Sequence, residues 1–228
     1  MFIIHNGSPK NMKLIIYGCT QQPIKIVSRL RRITKQDIEI MGFLDSDKSK
    51  QGSNYMGFPV LGTLEQVKEW KDQAMFCNCV TRTTEDRKSI TDGILSQGGN
   101  LFSLIDPEVD LELVKVGNGV YIQEAVYIQA GCEIGDNVSI HMGSMLGHGC
   151  KIGNDSMLTF AVNISGGVQI GEGVAVYTGA NLVGNIKIGD WSIIGAGSTV
   201  LNDIPNWVLA LGTPAKVIKS IKRGHGLH

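Results

Sequence analysis

The sequence predicts an α/β domain over residues 1–106, an all-β parallel solenoid over residues 107–200, and a C-terminal cap and tail over residues 201–228. Three observations predict this order. Aliphatic residues recur every six positions in the second part, glycines recur there every eighteen positions, and short apolar runs alternate with helical patterns in the first part. A six-residue period fits neither a helix nor an alternating strand, and it is typical of short flat strands joined by turns.

The six-residue repeat keeps one register over residues 116–200. An aliphatic residue opens each hexad: Val116, Ile122, Ile128, Ile134, Ile140, Leu146, Ile152, Leu158, Ile164, Ile170, Val176, Leu182, Ile188, Ile194 and Val200. A small or β-branched residue follows four positions later, and Cys132 and Cys150 hold this place one coil apart. Glycine marks every third hexad, where we expect it to allow a bend: Gly117, Gly135, Gly153, Gly171 and Gly189. We predict unbroken eighteen-residue coils, with the two cysteines stacked inside as buried thiols.

The first 106 residues alternate between strand and helix patterns, which predicts a small open parallel sheet of Rossmann-like type. Apolar runs predict strands at residues 13–17, 39–44, 74–80 and 100–105. Helical spacing predicts helices at residues 24–33, 64–70 and 84–96. Thr63 and Gln66 have the spacing of a capping box before the second helix.

The turn after the first strand is the place where such a sheet binds a nucleotide or phosphate. It contains Gly18, Cys19 and Thr20, followed by Pro23 in the first helical turn. This is not the G-x-G-x-x-G pattern, so the sequence disfavours a nicotinamide dinucleotide site. Two interpretations remain: the turn presents backbone N–H groups and Thr20 to a polar ligand, or its role is purely structural.

The repeat stops after residue 200, and a terminal segment should cover the open end of the solenoid. Asp203 and Pro205 predict a turn there. Pro214 predicts the start of a short helix that continues to Lys222.

Composition limits the classes of partner and compartment. Lysine plus arginine equals aspartate plus glutamate at 21 each, so charge gives no reason to expect nucleic acid or an anionic membrane as partner. No apolar stretch is long enough to span a bilayer, and the first residues lack a secretion signal. Cys77 and Cys79 have no second pair or histidine nearby, which makes a zinc site there a weak interpretation. Reduced thiols and no export signal predict the cytoplasm.

Two of the five histidines lie in the solenoid, at the second and third places of successive hexads: His141 and His148. Both side chains should point outward, either as idle surface groups or with one serving as a general base. Histidine suits that role because its unperturbed pKa is about 6.5. No third ligand is spaced to complete a metal site, so we expect none. Cys150 points inward and should not act as a nucleophile.

Four segments give the chain a family resemblance: residues 139–150, 162–166, 194–197 and 212–216. With the hexad register, they resemble the hexapeptide-repeat sugar acyltransferases, and most closely the nucleotide-4-amino-sugar N-acetyltransferases and the sialic acid O-acetyltransferases. The resemblance covers nearly the whole chain, including the small α/β domain. It implies a left-handed parallel β-helix, a homotrimer, acetyl-CoA bound between neighbouring solenoids, and a nucleotide sugar on the N-terminal domain.

The resemblance also implies site residues. His148 matches the catalytic base, and His141 matches a position near the acceptor. Gly18, Cys19 and Thr20 match the turn that contacts the nucleotide sugar. Gly166 matches the glycine whose N–H faces the thioester oxygen, and the segment near the nucleotide end of CoA corresponds to Gly212, Thr213, Pro214 and Lys216. The sequence departs from the family's pattern at two places. Gly149 stands where the family usually has a carboxylate that orients the base, and the turn around Gly18 has lost glycines that the family usually has there.

These features favour acetyl transfer from acetyl-CoA to the amine of a nucleotide-linked 4-amino sugar, for surface glycan synthesis such as that of O-antigen. One alternative is O-acetylation of sialic acid or of another polysaccharide hydroxyl. A second alternative is a non-enzymatic trimeric scaffold. Gly149 and the altered turn at Gly18 favour it, because both depart from the family's expected site.

Overall fold

An α/β domain opens the chain in the computed structural model, which describes residues 12–221. Its elements are β1 (Met12–Tyr17), α1 (Gln22–Thr34), β2 (Ile38–Leu44), β3 (Asn54–Tyr55), β4 (Phe58–Gly62), α2 (Val67–Trp70), β5 (Met75–Asn78), α3 (Thr84–Ser96) and β6 (Asn100–Leu101). The sheet order is β3-β4-β2-β1-β5-β6, and every pairing is parallel except β3 with β4. The predicted parallel sheet is confirmed, and the β3–β4 hairpin is an addition to it.

Local sequence signals explain the helices of this domain. Residues at helical spacing form the buried face of α1: Pro23, Ile26, Val27 and Leu30. Helix α3 begins after Thr83, whose hydroxyl accepts a hydrogen bond from the N–H of Asp86 at 3.0 Å. The predicted capping box is present, because the N–H of Thr63 donates to Oε1 of Gln66 at 2.9 Å.

The repeat region forms sixteen two-residue strands. They are β7 (Leu104–Ile105), β8 (Lys115–Val116), β9 (Tyr121–Ile122), β10 (Tyr127–Ile128), β11 (Glu133–Ile134), β12 (Ser139–Ile140), β13 (Met145–Leu146), β14 (Lys151–Ile152), β15 (Met157–Leu158), β16 (Asn163–Ile164), β17 (Gln169–Ile170), β18 (Ala175–Val176), β19 (Asn181–Leu182), β20 (Lys187–Ile188), β21 (Ile193–Ile194) and β22 (Thr199–Val200). Each strand from β9 to β19 pairs in parallel with the strand one coil later, eighteen residues on. All hexad openers are buried, and so are the residues four positions after them, including Cys132 and Cys150. The unbroken coils and the buried thiols are confirmed.

The coils build three faces. The domain-facing face contains β7, β9, β12, β15, β18 and β21, and its outward Tyr121 packs into the core of the N-terminal domain. The Tyr127 face contains β10, β13, β16, β19 and β22. The lysine face contains β8, β11, β14, β17 and β20, and it exposes Lys115 and Lys151 beside Glu133.

The solenoid begins earlier than the hexad pattern indicates. Residues 100–105, predicted as one strand, divide between two sheets: β6 pairs with β5, and β7 pairs with β9. The division falls at Phe102 and Ser103. Phe102 is buried in the N-terminal core, and the Ser103 hydroxyl accepts a hydrogen bond from Val120 N–H at 3.1 Å.

A buried arginine joins the two parts of the chain. Arg87 on α3 is fully buried, and it donates to the backbone carbonyls of Asn78 at 2.7 Å, Asn137 at 2.8 Å and Gly119 at 3.2 Å. The first carbonyl belongs to the N-terminal domain and the other two to the solenoid. An ion pair between Arg29 Nε and Asp106 Oδ2, at 2.7 Å, is one of several further links.

The glycines that recur every eighteen residues serve a purpose other than the predicted bend. None has a left-handed φ, but a Cβ on Gly117 would lie 2.5 Å from Asp136 Oδ1. On Gly153 it would lie 2.4 Å from the carbonyl oxygen of Gly171. Successive coils therefore approach too closely at this corner for any side chain.

The C-terminal helix prediction is wrong. β23 (Val208–Gly212) extends the domain-facing face by pairing with β21, and β24 (Ala215–Ser220) returns antiparallel to β23 around a cis Thr213–Pro214 bond. Without β24, one edge of β23 would present unpaired backbone groups, so a strand is favoured there over a helix. Val217 and Ile218 are β-branched, which suits a strand. Lys222 lies outside the described residues, as do His5, His225 and His228.

Candidate functional site

A pocket of about 420 Å³ lies between the N-terminal domain and the domain-facing face, and we call it the interdomain pocket. It is lined by Thr20, Gln22, Cys79, Thr81, Tyr121, Gln123, His141, Met142, Thr159, Phe160, Tyr177 and Thr178. None of these described lining residues is acidic, lysine or arginine. Hydroxyl, amide and aromatic groups dominate, so the pocket suits an uncharged polar ring better than an ion.

His141 lies in this pocket rather than on open surface. The predicted outward exposure is wrong, because the N-terminal domain covers this corner and leaves the residue 4% exposed. The ring packs edge-to-face against Tyr121 and Phe160, with centroids 6.3 and 5.1 Å away. Burial, aided by the positive charge of Arg87, lowers the pKa of His141 to about 4. The imidazole is therefore neutral at physiological pH.

The two nitrogens of the His141 ring have different surroundings. Nε2 lies 2.9 Å from the hydroxyl of Ser139, which is fully buried. Nδ1 is buried and has no hydrogen-bond partner within residues 12–221. A buried polar atom without a partner indicates a place where a ligand or water supplies one.

The turn after β1 divides between two pockets. Thr20 lines the interdomain pocket with His141, whereas Gly18 lines a second cavity of about 680 Å³ at the carboxyl ends of β1 and β2. We call this second cavity the strand-end pocket. Cys19 does not line either one; its N–H donates to Asp45 Oδ2 at 3.0 Å. Burial and Asp45 raise the pKa of the Cys19 thiol to about 12, so the thiol is not a nucleophile at neutral pH.

The charged groups of the strand-end pocket were not predicted from the sequence as site residues. Five charged residues line it, namely Asp45, Asp47, Lys50, Arg82 and Asp86, and Lys50 Nζ contacts Asp45 Oδ2 at 2.9 Å. Burial alone would raise the pKa of Asp45, but donors from the backbone and from Lys50 lower it, so the carboxylate stays ionised. The sequence could have predicted Asp45 as a site residue, because it directly follows β2 at the edge where α/β sheets bind ligands.

His148 occupies a different corner of the solenoid, between β13 and β14. It is exposed, as its place in the hexad predicts. Its N–H donates to Gln129 Oε1 at 2.8 Å, and its carbonyl accepts from Gly167 N–H at 2.9 Å. These bonds anchor its backbone between the coils below and above. Within the described residues, no hydrogen bond holds its ring.

Glycines at two positions shape the surroundings of His148. Gly149 has φ +66°, a left-handed conformation that glycine adopts without strain; Asp155 adopts a similar φ at the same place in its own hexad, so the backbone there does not itself exclude a carboxylate. A Cβ on Gly166 would lie 2.5 Å from Nε2 of His148, so the imidazole rests against the bare Gly166 backbone. The Gly166 N–H makes no hydrogen bond within the described part of the chain. A ring nitrogen and an available amide N–H therefore lie side by side.

The segment expected to bind CoA forms the turn of the β23–β24 hairpin. Gly212 N–H donates to Ser198 Oγ at 3.1 Å, and Thr213 Oγ1 donates to the carbonyl of Gly197 at 3.3 Å. Pro214 completes the turn, and Lys216 on β24 is exposed. This turn lies beside β22, whereas His148 follows β13, three strands away in the Tyr127 face. One chain therefore does not bring this segment, His148 and the interdomain pocket together.

The other candidate groups make no site of their own. Burial raises the pKa of Cys150 to about 11, which leaves it protonated. Cys77 and Cys79 are buried with their sulfurs 3.4 Å apart. Residues 12–221 contain no group of three or more side chains that could hold a metal ion. In the same range, no helix is both long and apolar enough to cross a bilayer.

Comparison with known proteins identifies the repeat and the fold. The sequence profile of the bacterial transferase hexapeptide family (six repeats) matches residues 113–147, 131–166 and 167–202. The acetyltransferase domain of PglB from Neisseria gonorrhoeae is similar in structure, with TM-score 0.79 and 26% identity over 91% of this chain and 100% of that domain. PerB from Caulobacter crescentus, in complex with CoA and GDP-perosamine, has TM-score 0.68 and 25% identity over 91% and 97%.

WeeI from Acinetobacter baumannii shares the fold at 20% identity, with TM-score 0.76 over 91% of this chain and 100% of that one. A search of curated protein sequences found no significant match. The repeat profile, the coiled architecture and the acetyltransferase neighbours agree with one another. Residues 113–202 are hexapeptide repeats of the bacterial transferase type, and the chain joins an α/β N-terminal domain to a left-handed parallel β-helix, as does the acetyltransferase domain of PglB; these similarities support an acyltransferase.

Proposed function

We propose that the protein transfers an acetyl group from acetyl-CoA to the amine of a nucleotide-linked amino sugar. The observation that carries this proposal is the interdomain pocket. It is uncharged, it joins His141 to the turn after β1, and it is bordered by the charged strand-end pocket. The solved structures that bind CoA and GDP-perosamine, or acetyl-CoA, support the same assignment.

The two pockets suit the two parts of such a substrate. The strand-end pocket, with Gly18 and Arg82, would take the nucleotide at the carboxyl edge of the sheet. The interdomain pocket, with Thr20 and His141, would take the sugar ring against its aromatic side chains. Cys19 would act through the shape of the turn, since its N–H is already bonded to Asp45.

The absence of charge in the interdomain pocket favours an amine over a sialic acid. A sugar amine is nucleophilic as the free base, and a pocket without carboxylates does not stabilise the ammonium form. The carboxylate of sialic acid would find no cationic side chain among the described lining residues, and burying an unpaired charge is costly. An O-acetyltransferase acting on sialic acid is therefore disfavoured.

A homotrimer would complete the site. His148 lies on an exposed corner away from the interdomain pocket of its own chain, so a neighbouring chain has to bring the two together. The Tyr127 face offers a surface for that contact, because Tyr127 is 60% and Met145 is 50% exposed. Acetyl-CoA would lie between neighbouring solenoids, with its acetyl end near Gly166. Its nucleotide end would lie near the hairpin turn, which contains Gly212, Thr213, Pro214 and Lys216.

The chemistry needs a base and an oxyanion donor. Acetyl-CoA supplies a thioester carbonyl. His148 would accept the proton that the amine loses as it attacks that carbonyl. The N–H of Gly166 would donate to the carbonyl oxygen as negative charge develops on it, and such donors are worth roughly 10²–10³ in rate. His141 would hold the sugar, and Cys150 takes no part.

The product would be an activated N-acetylated sugar for surface glycan synthesis, made in the cytoplasm where acetyl-CoA and nucleotide sugars are available. Detectable acetyl transfer would also exclude the alternative that the protein is a trimeric scaffold without activity.

A screen of acceptors tests the proposal. The purified protein is mixed with acetyl-CoA and, separately, UDP-, GDP- and dTDP-linked 4-amino sugars and free sialic acid, and thiol release is followed. We expect release with at least one nucleotide amino sugar and none with sialic acid. His148→Ala should lower kcat by roughly 10²–10⁴, the usual contribution of a general base, with an unchanged melting temperature. Release with sialic acid alone, or near-normal kcat in His148→Ala, would contradict the assignment.

A further inference from the structure

The position of Ser139 gives it a role in the acceptor pocket that the fold alone does not require. It lies on β12 of the domain-facing face, and its hydroxyl is fully buried beside Nε2 of His141 at 2.9 Å. Within residues 12–221, that nitrogen is the only hydrogen-bond partner of the hydroxyl. The geometry leaves two arrangements of protons, and they differ in how many buried polar groups lack a partner.

In the first arrangement, Nε2 of His141 carries the proton and donates to Ser139. The serine hydroxyl proton then has no acceptor, and the bare Nδ1 has no donor. In the second, Ser139 donates to the lone pair of Nε2, and Nδ1 carries the proton. Only the Nδ1 proton then lacks a partner. Because each unsatisfied buried group is costly, the second arrangement is favoured.

We infer that Ser139 holds His141 in its Nδ1–H tautomer, so that His141 is a hydrogen-bond donor to the acceptor sugar and not a base. The lone pair of Nε2 is occupied by Ser139, and the proton on Nδ1 awaits an acceptor atom. A hydroxyl, ring or carbonyl oxygen of the bound sugar has the chemistry to supply one. Ser139 is thus a positioning residue that acts through His141. The inference rests on the proposed function only for the identity of the ligand.

The tautomer has consequences for specificity. A donor at Nδ1 selects substrates that present an oxygen lone pair beside the imidazole, and it discriminates against an ammonium group there. It also leaves His148 as the one solenoid histidine whose ring nitrogens are free of protein hydrogen bonds in the described chain. The hydroxyl of Ser139 thus determines that His141 is the hydrogen-bond donor and leaves the role of base to His148.

Nuclear magnetic resonance of the ring nitrogens tests the tautomer without any turnover. The protein is labelled with ¹⁵N-histidine, and the His141 signals are assigned by their loss in His141→Asn. We expect the Nδ1–H pattern in the free wild-type protein and a loss of that single-tautomer pattern in Ser139→Ala. Ser156→Ala, which removes another fully buried hydroxyl, should leave the pattern intact. An Nε2–H pattern in the wild type overturns the inference, even if Ser139→Ala does not fold.

Kinetics with the nucleotide amino sugar identified in the acceptor screen supply the second readout. Ser139→Ala should raise the acceptor KM roughly two- to tenfold, as expected for one hydrogen bond, with little change in kcat. His141→Asn, which keeps a donor, should preserve KM better than His141→Ala. Loss of kcat in both His141 variants would identify His141 as the base and refute the inference. If no nucleotide sugar is acetylated at all, the proposed function fails while the tautomer measurement still stands.

Discussion

Gly166 and the His148 imidazole meet across one coil, and this contact allows a sharp test at the scale of a single atom. A Cβ at residue 166 would lie 2.5 Å from Nε2 of His148, so alanine must displace the ring. We expect Gly166→Ala to lower kcat by at least tenfold. The backbone there is not left-handed, so alanine is not strained and the melting temperature should change little.

Steady-state kinetics and thermal unfolding measure the two effects. Gly184→Ala is the matched control, because it lies one coil later in the same column and its Cβ would meet the Gly166 carbonyl at 3.0 Å and Ser165 Cβ at 3.8 Å, but not the His148 ring. Equal losses of kcat in the two variants would show that the ring contact is not the cause.

The burial of His141 should make the free energy of unfolding depend on pH. Its pKa is about 4 in the folded chain and about 6.5 when unfolded, so only the unfolded state binds the proton between these values. The free energy of unfolding therefore falls as pH drops from 6.5 to 4, by at most about 1.4 kcal/mol per pH unit. His141→Asn should flatten this part of the pH profile, which urea unfolding at several pH values measures. An identical profile for both proteins would contradict the assigned burial.

At the scale of elements, Arg87 joins α3 to the solenoid, together with the weaker polar contacts of Thr84, Lys88 and Thr91. Arg87→Lys replaces a guanidinium that reaches four backbone carbonyls, two in or just after β5 and two in separate coils, with an ammonium of different geometry. At least one buried carbonyl would lose its partner, so we expect the free energy of unfolding to fall by about 1–3 kcal/mol. Chemical denaturation checks this, with Arg31→Lys on the exposed side of α1 as control. A loss no greater than that of the control would show that Arg87 does not join the domains.

The elements that the sequence predicted well are those with strong local signals. Hexads 116–200 repeat often enough to define the register, and α3 matches its predicted bounds because Thr83 caps it and residues 98–99 end it. The β3–β4 hairpin and β24 have weak local patterns and depend on an edge strand that another part of the chain provides. The exposure of His148 was predicted correctly from its hexad position alone. The burial of His141 depends on the docking of the N-terminal domain, which no local pattern encodes.

At the scale of the whole molecule, the proposed trimer predicts a sedimentation mass of about 74 kDa, three times 24.6 kDa. Tyr127 and Met145 are exposed on the face assigned to the contact. Charges at both positions should oppose burial, so Tyr127→Glu with Met145→Glu should sediment as a single chain and lose activity. Lys187→Glu on the lysine face should remain assembled. An active double variant with the mass of one chain would rule out a shared site.

The pairing of β7 with β9 has a bearing on transplanting the repeat into other proteins. Residues 104–105 already form part of the first coil, although the hexad pattern becomes visible only at residue 116. A chimaera that borrows residues 116–200 alone would leave one edge of β9 without its neighbour, open to pairing with other chains. It would also lack the Ser103 hydroxyl that accepts from Val120 N–H. The smallest portable unit therefore starts at Ser103, within the link between the domains, and the solenoid is less modular than its periodicity suggests.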